Sequence, residues 1–546
     1  MHRRCLVWLL LALLLAACTS SGPETATPAD EPAEEAEPAA VDRREGGTLR
    51  VGLSNDPASI DPRFVADDEG ELIVDAVFEP LVRLDPQQRV VPAAAESWER
   101  DEDGRVWTFT LREARFHDGS PVTAQDFARS FERIADGTAD PRSFLAYLIE
   151  PIDGVREAQE HGGAIDGVEV VDEQTLRLRL REPNPGFLRV LSHPSLAPVP
   201  AIADDDLEAF AARPIGNGPF QVTEAREPGG FIRLSGVADH HEAPRLDAVV
   251  LQIAAPGDDR QWDDLVDGQL HVADVPVSRI PDAVERFGRS ADGYRGPGVL
   301  SGVTSAVYLY GFDLTAEPFD DPDVRRAISL AIDRDRLVED LFPGARRVAD
   351  AIVPTPVPGA QQGVCDHCRH DPDAALALFE EADVGLEELT LTYNRGGTHT
   401  AIAERMAADI EDALGITVSL DGLELRDFLR DVRSGEARLF RLGLDPDAPS
   451  PGEYLHPLLH SDSIGIENLT RYAVDEVDEL LDEARMAEED DAIELWRQVE
   501  QRALDDVAVV PLLHYRHNRV VASGVRELYW SPFGRIDLAR VWLDES

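Results

Sequence analysis

Apolar and polar side chains alternate along Thr48-Leu49-Arg50-Val51-Gly52-Leu53, the period of a strand with one face buried. The alternation returns in Val106-Trp107-Thr108-Phe109-Thr110-Leu111 and in Leu176-Arg177-Leu178-Arg179-Leu180, and Val249 to Ile253 reads as a further strand. Between these runs the spacing lengthens to that of a helix. Thr123-Ala124-Gln125-Asp126 has the form of a capping box with Asp in place of Glu, and it opens a helix whose Phe127, Phe131 and Ile134 share a face. Asp321-Pro322 sets a capping carboxylate before a Pro at the first helical position, with Val324, Ile328 and Ala331 following at helical spacing. Asp371-Pro372 repeats the device. Ile402, Met406, Ile410 and Leu414 form a stripe every four residues, closed by Gly415. Strands and helices interleave throughout, so the predicted class is α/β. No fixed-period repeat is present, and no stretch after residue 17 is apolar enough to span a bilayer.

The first residues follow a different pattern. His2-Arg3-Arg4 is basic, Leu6 to Ala17 is apolar and uncharged, and Leu15-Ala16-Ala17 precedes Cys18. The run is too short for a membrane-spanning helix and fits a secretory signal, residues 1–17. Small residues before a Cys resemble the bacterial lipobox, in which Cys18 is diacylated and becomes the first mature residue. Thr19 to Glu45 is rich in Ala, Pro and Glu and poor in bulky apolar side chains, so residues 18–45 are expected to form a lipidated tether. The expected location is extracytoplasmic, lipid-anchored to the bacterial cell membrane.

With 546 residues the chain exceeds the roughly 250–300 at which a single core stops growing, so several lobes are expected. Asp and Glu number 105 against 52 basic residues, for a formal charge of −53, which argues against nucleic acid as a partner. Adaptation to salt is one reading of that surplus and a GC-rich coding bias the alternative. Every basic residue counted there is Arg; the chain has no Lys. A Walker A loop, a Schiff base and a Ser-x-x-Lys hydrolase site therefore have no amine to build on, and the chain is not the ATPase of a transporter. His-Glu-x-x-His, Gly-x-Ser-x-Gly and paired C-x-x-C motifs are absent too, so no enzyme is expected and no cofactor or metal is called for.

Two cysteines remain in the body, Cys365 and Cys368, with His367 and His370 beside them. In an oxidising compartment a small disulfide loop is the leading reading. A redox-active pair, a Cys/His zinc site and free thiols remain open alternatives.

Several blocks, taken together, resemble the family 5 extracellular solute-binding proteins, the oligopeptide- and dipeptide-binding group. They are Gly46-Gly47-Thr48-Leu49-Arg50-Val51, Ser59-Ile60-Asp61-Pro62, Phe78-Glu79-Pro80-Leu81-Val82, Pro92 to Trp98, Phe116 to Phe127, Asn217-Gly218-Pro219-Phe220, Asp323 to Ile328 with Ala331 to Arg334, and Tyr393-Asn394. The resemblance runs from Gly46 to about Trp542. It implies a large three-lobed periplasmic-binding-protein type II fold with the ligand cleft between lobes I and III. Lobe I would comprise residues 46–84, 214–300 and 516–546, lobe II residues 85–213, and lobe III residues 301–515. The implied role is the substrate-binding lipoprotein of an ABC importer, a monomer that closes on a peptide or other small zwitterionic solute. It would deliver that solute to permease subunits served by a separate ATPase.

The resemblance also implies a site. Arg441-Leu442-Gly443-Leu444-Asp445-Pro446-Asp447 is similar to the family segment that holds a peptide's amino terminus, which puts Asp447 on the ligand's ammonium. Arg441 and Arg433 fall near basic positions suited to a carboxylate. His399 falls at a position that meets ligand termini, and Tyr147 and Asn217 are weaker ligand-binding candidates. Leu444 and Ala448 stand where the family usually has aromatic residues, and Asp239-His240-His241 replaces an Asn-Pro-x-Tyr type segment. These departures leave a non-peptide ligand (an oligosaccharide, an opine-like compound or a metal chelate) as the alternative.

Overall fold

The structure, a computed structural model, describes residues 46–65, 67–226, 229–254 and 259–544. The signal peptide, Cys18 and the tether lie outside the described residues.

Three main sheets organise the body. Thr48–Leu53 lies inside a seven-stranded sheet, pairing in parallel with Ala248–Ile253 and contacting Val272–Asp274 on its other side. The predicted alternation places Leu49, Val51 and Leu53 in the core, each at most 3% exposed. Arg519–Val521 returns late in the chain to pair with Val272–Asp274 and Gly298–Leu300 in the same sheet. A four-stranded antiparallel sheet is built from Ala95–Arg100, Val106–Leu111, Thr175–Arg179 and Val168–Asp172. It is covered by the helix Ala124–Ala135, where Thr123 and Asp126 close the expected capping box. Phe127 and Phe131 of that helix are fully buried.

The third sheet has six strands. Val303–Phe312 runs near its centre between Leu439–Leu444 and Val509–Arg516. The register pairs Tyr310 with Arg441 and Val307 with Leu444, so Asp445-Pro446-Asp447 leaves the sheet beside the start of the central strand. The helices around it begin and end where the sequence indicates. Asp321 accepts from the Asp323 amide, Asp371 from the Ala374 amide, and Gly415 closes its helix at φ 69°. That left-handed conformation costs glycine little and a side chain more.

A buried ion pair joins the first two sheets' bodies. Arg133, on the helix Ala124–Ala135, meets Asp61 at 3.2 Å, with side chains 6% and 0% exposed, and reaches Asp204 at 3.0 Å. Asp61 also accepts the Arg63 amide, so its lone pairs are well used. Charges at such depth are tolerated because they satisfy one another, here with Asp204 and the Arg63 amide as further partners.

Candidate functional site

A cleft of about 750 Å³ opens between residues 67–71, 274 and 516–534 on one side and 304–307 and 441–447 on the other. A second chamber, about 1220 Å³, continues past the same Gly443–Asp447 segment toward Trp98, Trp107, Tyr147, His456 and Trp496. The two spaces meet at Asp445 and Asp447 because the strand Leu439–Leu444 ends there.

Carboxylates gather at that junction. Ser305 Oγ donates to Asp445 at 2.6 Å, and Tyr454 holds the Ser305 carbonyl at 2.7 Å. Water reaches Asp445 from the cleft, yet the surrounding protein desolvates the carboxyl. That burial outweighs the Ser305 bond and, with Asp68, Asp447 and Glu71 nearby, pushes its pKa up to about 6. Glu453 keeps part of its side chain exposed, yet the protein packed around it desolvates the carboxyl and, with Asp447 and Glu467, likewise raises it to about 7. Asp447 accepts the Tyr147 phenolic proton, and its carbonyl accepts from Arg535 Nη2 at 3.3 Å. Glu71 and His193 come close to Asp447, with Glu71 3.6 Å from the His193 ring nitrogen. Burial alone would raise Glu71, but the His193 contact and charge bring it below the usual range.

Guanidiniums line other parts of the cleft. Arg441 stacks 5.0 Å over the Tyr308 ring and reaches Asn394 Oδ1 at 3.5 Å, leaving its buried Nε without a partner. The Tyr308 hydroxyl lies 3.1 Å from His399 Nδ1, and burial followed by the Arg441 charge lowers that imidazole to about 4. His399 is therefore neutral at pH 7. Arg516, at the end of Val509–Arg516, also lines the cleft with a buried Nε that has no partner. Arg519 is spent on Asp274 at 2.6 Å.

The structure thus brings Asp447 together with Tyr147, and places His399 behind Arg441 through Tyr308, although His399 itself lines neither chamber. Asn217 has another task. Its amide accepts the Glu79 N–H at 2.9 Å and donates to the Glu79 carbonyl at 3.0 Å, so it clamps a backbone turn and does not face the cleft. Arg433 is exposed on the last turn of Leu425–Ser434 and lines neither chamber; its carbonyl accepts from Arg471. Those contacts place neither side chain against either chamber. Cys365 and Cys368 form a disulfide. Glu71, His193, Ser305 and Arg516 escaped the sequence reading. Each is an ordinary polar residue brought to the site by packing of distant segments, and only Glu71, in the acidic run 67–71, carried any local signal.

Residues 89–465 match the model of the bacterial extracellular solute-binding proteins, family 5. The chain belongs to that family. The match covers well over half of the sequence. This family 5 protein is 28% identical to the dipeptide-binding protein DppE of Bacillus subtilis over 526 residues, covering 91% of this chain and 92% of the relative. It is 28% identical to the periplasmic oligopeptide-binding protein OppA of Salmonella typhimurium, covering 89% and 91%. Among solved structures it resembles the periplasmic murein tripeptide binding protein MppA in its unliganded open form, with TM-score 0.79 and 22% identity, covering 92% and 98%. That likeness establishes the α/β solute-binding fold. Family 5 proteins are substrate-binding receptors and not enzymes, and these relatives include periplasmic proteins. No helix among the described residues is long and apolar enough to cross a membrane.

Proposed function

We propose that this family 5 protein is the receptor of an ABC importer that captures peptides by their charged ends and hands them to a permease. One observation carries the reading: the cleft combines a cluster of carboxylates, Asp445, Asp447 and Glu71, with Arg441 and Arg516, whose buried Nε atoms have no protein partner. A carboxylate held between lobes is costly alone, and a ligand ammonium supplies the missing charge. A guanidinium fork suits the carboxylate at a peptide's other end. Both names among the relatives, dipeptide- and oligopeptide-binding, fit that chemistry. In this reading Asp447 takes the ammonium, Arg441 with His399 beside it faces the carboxylate end, and closure is the signal read by the permease. A diacylated Cys18 and an acidic tether would hold a monomeric body outside the cell membrane, with no catalytic step of its own.

Leu444 and Ala448, in place of aromatic walls, favour a second reading in which the same receptor takes a non-peptide solute. Calorimetry separates the two. Peptides with a free amino terminus should bind, their N-acetylated forms should bind at least tenfold more weakly, and Asp447→Asn should remove the difference. Binding of sugars or chelates alone would discard the peptide reading and keep the receptor.

A further inference from the structure

A further cavity, about 370 Å³, is walled chiefly by residues from three distant stretches, 75–88, 240–242 and 527–540. It shares Asp447 and Phe533 with the cleft and otherwise has walls of its own.

Glu79 and His240 both line this space, and each keeps one polar atom unused. The Asn217 amide grips both backbone groups of Glu79, at 2.9 and 3.0 Å, and His241 Nε2 donates to Glu79 Oε1 at 2.7 Å. Glu79 Oε2 is buried with no hydrogen-bond partner among the described residues. The Glu242 amide donates to His240 Nδ1 at 3.1 Å, so Nε2 carries the ring proton. Burial lowers the pKa of that ring, which keeps it neutral. His240 Nε2 is itself buried and without a partner among the described residues. The two atoms stand 3.8 Å apart, beyond hydrogen-bond reach of one another, on side chains 8% and 7% exposed. A positioned acceptor and a positioned donor thus belong to one cavity wall.

A guest between them must donate to the first and accept from the second. A hydroxyl does both with one oxygen, whereas an ammonium only donates and a carboxylate only accepts. The guanidiniums nearby have their terminal nitrogens occupied. Arg83 meets Glu242 and, at 3.5 Å, Asp537, and Arg535 donates to the carbonyls of Ser192 and Asp447. Each keeps a buried, unpartnered Nε–H, a donor for a further oxygen. Burial pushes the Asp75 carboxyl up to about 6 in spite of both guanidiniums, so this space penalises charge. Phe78, Leu84, Leu528 and Tyr529 supply apolar wall for the carbon faces between hydroxyls.

We propose that this cavity is a second ligand site, for a neutral polyhydroxylic solute the size of a monosaccharide, with one hydroxyl bridging Glu79 and His240. It does not depend on the peptide reading, because Arg441, Arg516 and Asp445 are not among its walls.

The test is saturation-transfer NMR on the purified full-length protein, with glucose, xylose and myo-inositol as probes and ethylammonium and acetate as charged controls. The neutral probes should receive saturation and the charged ones should not. Glu79→Gln, which keeps the shape and removes the charged acceptor, should weaken sugar binding at least tenfold. Arg441→Gln, in the peptide cleft, should leave it unchanged. Wild-type crystals soaked in glucose locate the sugar without any variant: a hydroxyl should lie within hydrogen-bond distance of Glu79 Oε2 and His240 Nε2. No transfer to any polyol overturns the proposal and leaves water as the only occupant. Transfer to ethylammonium or acetate alone overturns the neutral class. Sugar binding lost in Arg441→Gln and kept in Glu79→Gln moves the sugar to the peptide cleft and overturns the second site.

Discussion

Tyr147 reaches from the turn Leu145–Ile149 to donate its phenolic proton to Asp447, 300 residues further along the chain. It thereby occupies the carboxylate assigned to the ligand's ammonium. The phenol is a weaker partner than an ammonium, and the exchange favours the ligand. Tyr147→Phe should therefore tighten binding of free-amino-terminus peptides by up to about tenfold, since a hydrogen bond to a charged group is worth about 1.5–3 kcal/mol. Calorimetry on the two proteins checks it; weaker binding would make the phenol part of the bound state.

The raised carboxyls predict proton release on binding. The protein around them holds Asp445, in the cleft, up near 6 and Glu453, in the adjoining chamber, up near 7, while a peptide ammonium stays charged below about 8. An arriving ammonium favours the ionised carboxylates, so binding near pH 6 should expel protons, and affinity should fall as pH drops below 6. Calorimetry in buffers of differing ionisation enthalpy counts the protons, and Asp445→Asn should release fewer.

The same groups shape stability. A carboxyl raised in the folded state binds its proton more tightly there than in the unfolded chain. Its contribution is present below about pH 4 and is lost as pH rises through 6 for Asp445 and 7 for Glu453. Melting of the ligand-free protein should thus fall between pH 4 and 7 on account of these groups. The double variant Asp445→Asn, Glu453→Gln should show a shallower fall.

Asp61→Ala takes from Arg133 its fully buried partner and leaves it Asp204, whose side chain is 50% exposed and therefore a weaker partner. Removing one partner of a buried pair typically costs about 3–5 kcal/mol, against under 1 kcal/mol for an exposed one. Urea denaturation should show that loss, and Glu169→Ala, which breaks an exposed pair with Arg177, should change little.

Three ion pairs span the rim of the larger chamber: Arg100 with Glu488, Arg189 with Glu489, and Arg485 with Glu182 at 3.0 Å. They link the four-stranded sheet's body to the helices Asp475–Met486 and Glu489–Asp505. All include an exposed partner, so salt should screen them as the Debye length shrinks from about 30 Å at 0.01 M to 3 Å at 1 M. The separation of fluorophores on the two bodies should widen with salt, and Glu182→Gln, Glu488→Gln, Glu489→Gln should remove that response.

Much of the framework was legible because its causes are local. The alternation of Leu49, Val51 and Leu53, the Thr123–Asp126 box and the Asp-Pro starts at 321 and 371 each state their own geometry within a few residues. The site was legible only through resemblance, and incompletely. Nothing near Asn217 reveals that Glu79 consumes both polar atoms of its amide, and nothing near Glu71 announces His193. Those contacts follow from how distant segments pack, and a polar residue looks the same in sequence whether it meets a ligand, a backbone or water.

The cationic residues of the cleft have a practical consequence. Every one is a guanidinium, because the chain contains no lysine. Apart from the chain's own α-amino group, the terminal amine of a bound lysine-free peptide is then the sole primary amine in the complex. An amine-reactive dye will label free peptide, spare peptide enclosed against Asp447, and leave the receptor's side chains dark. The complex supplies its own occupancy assay.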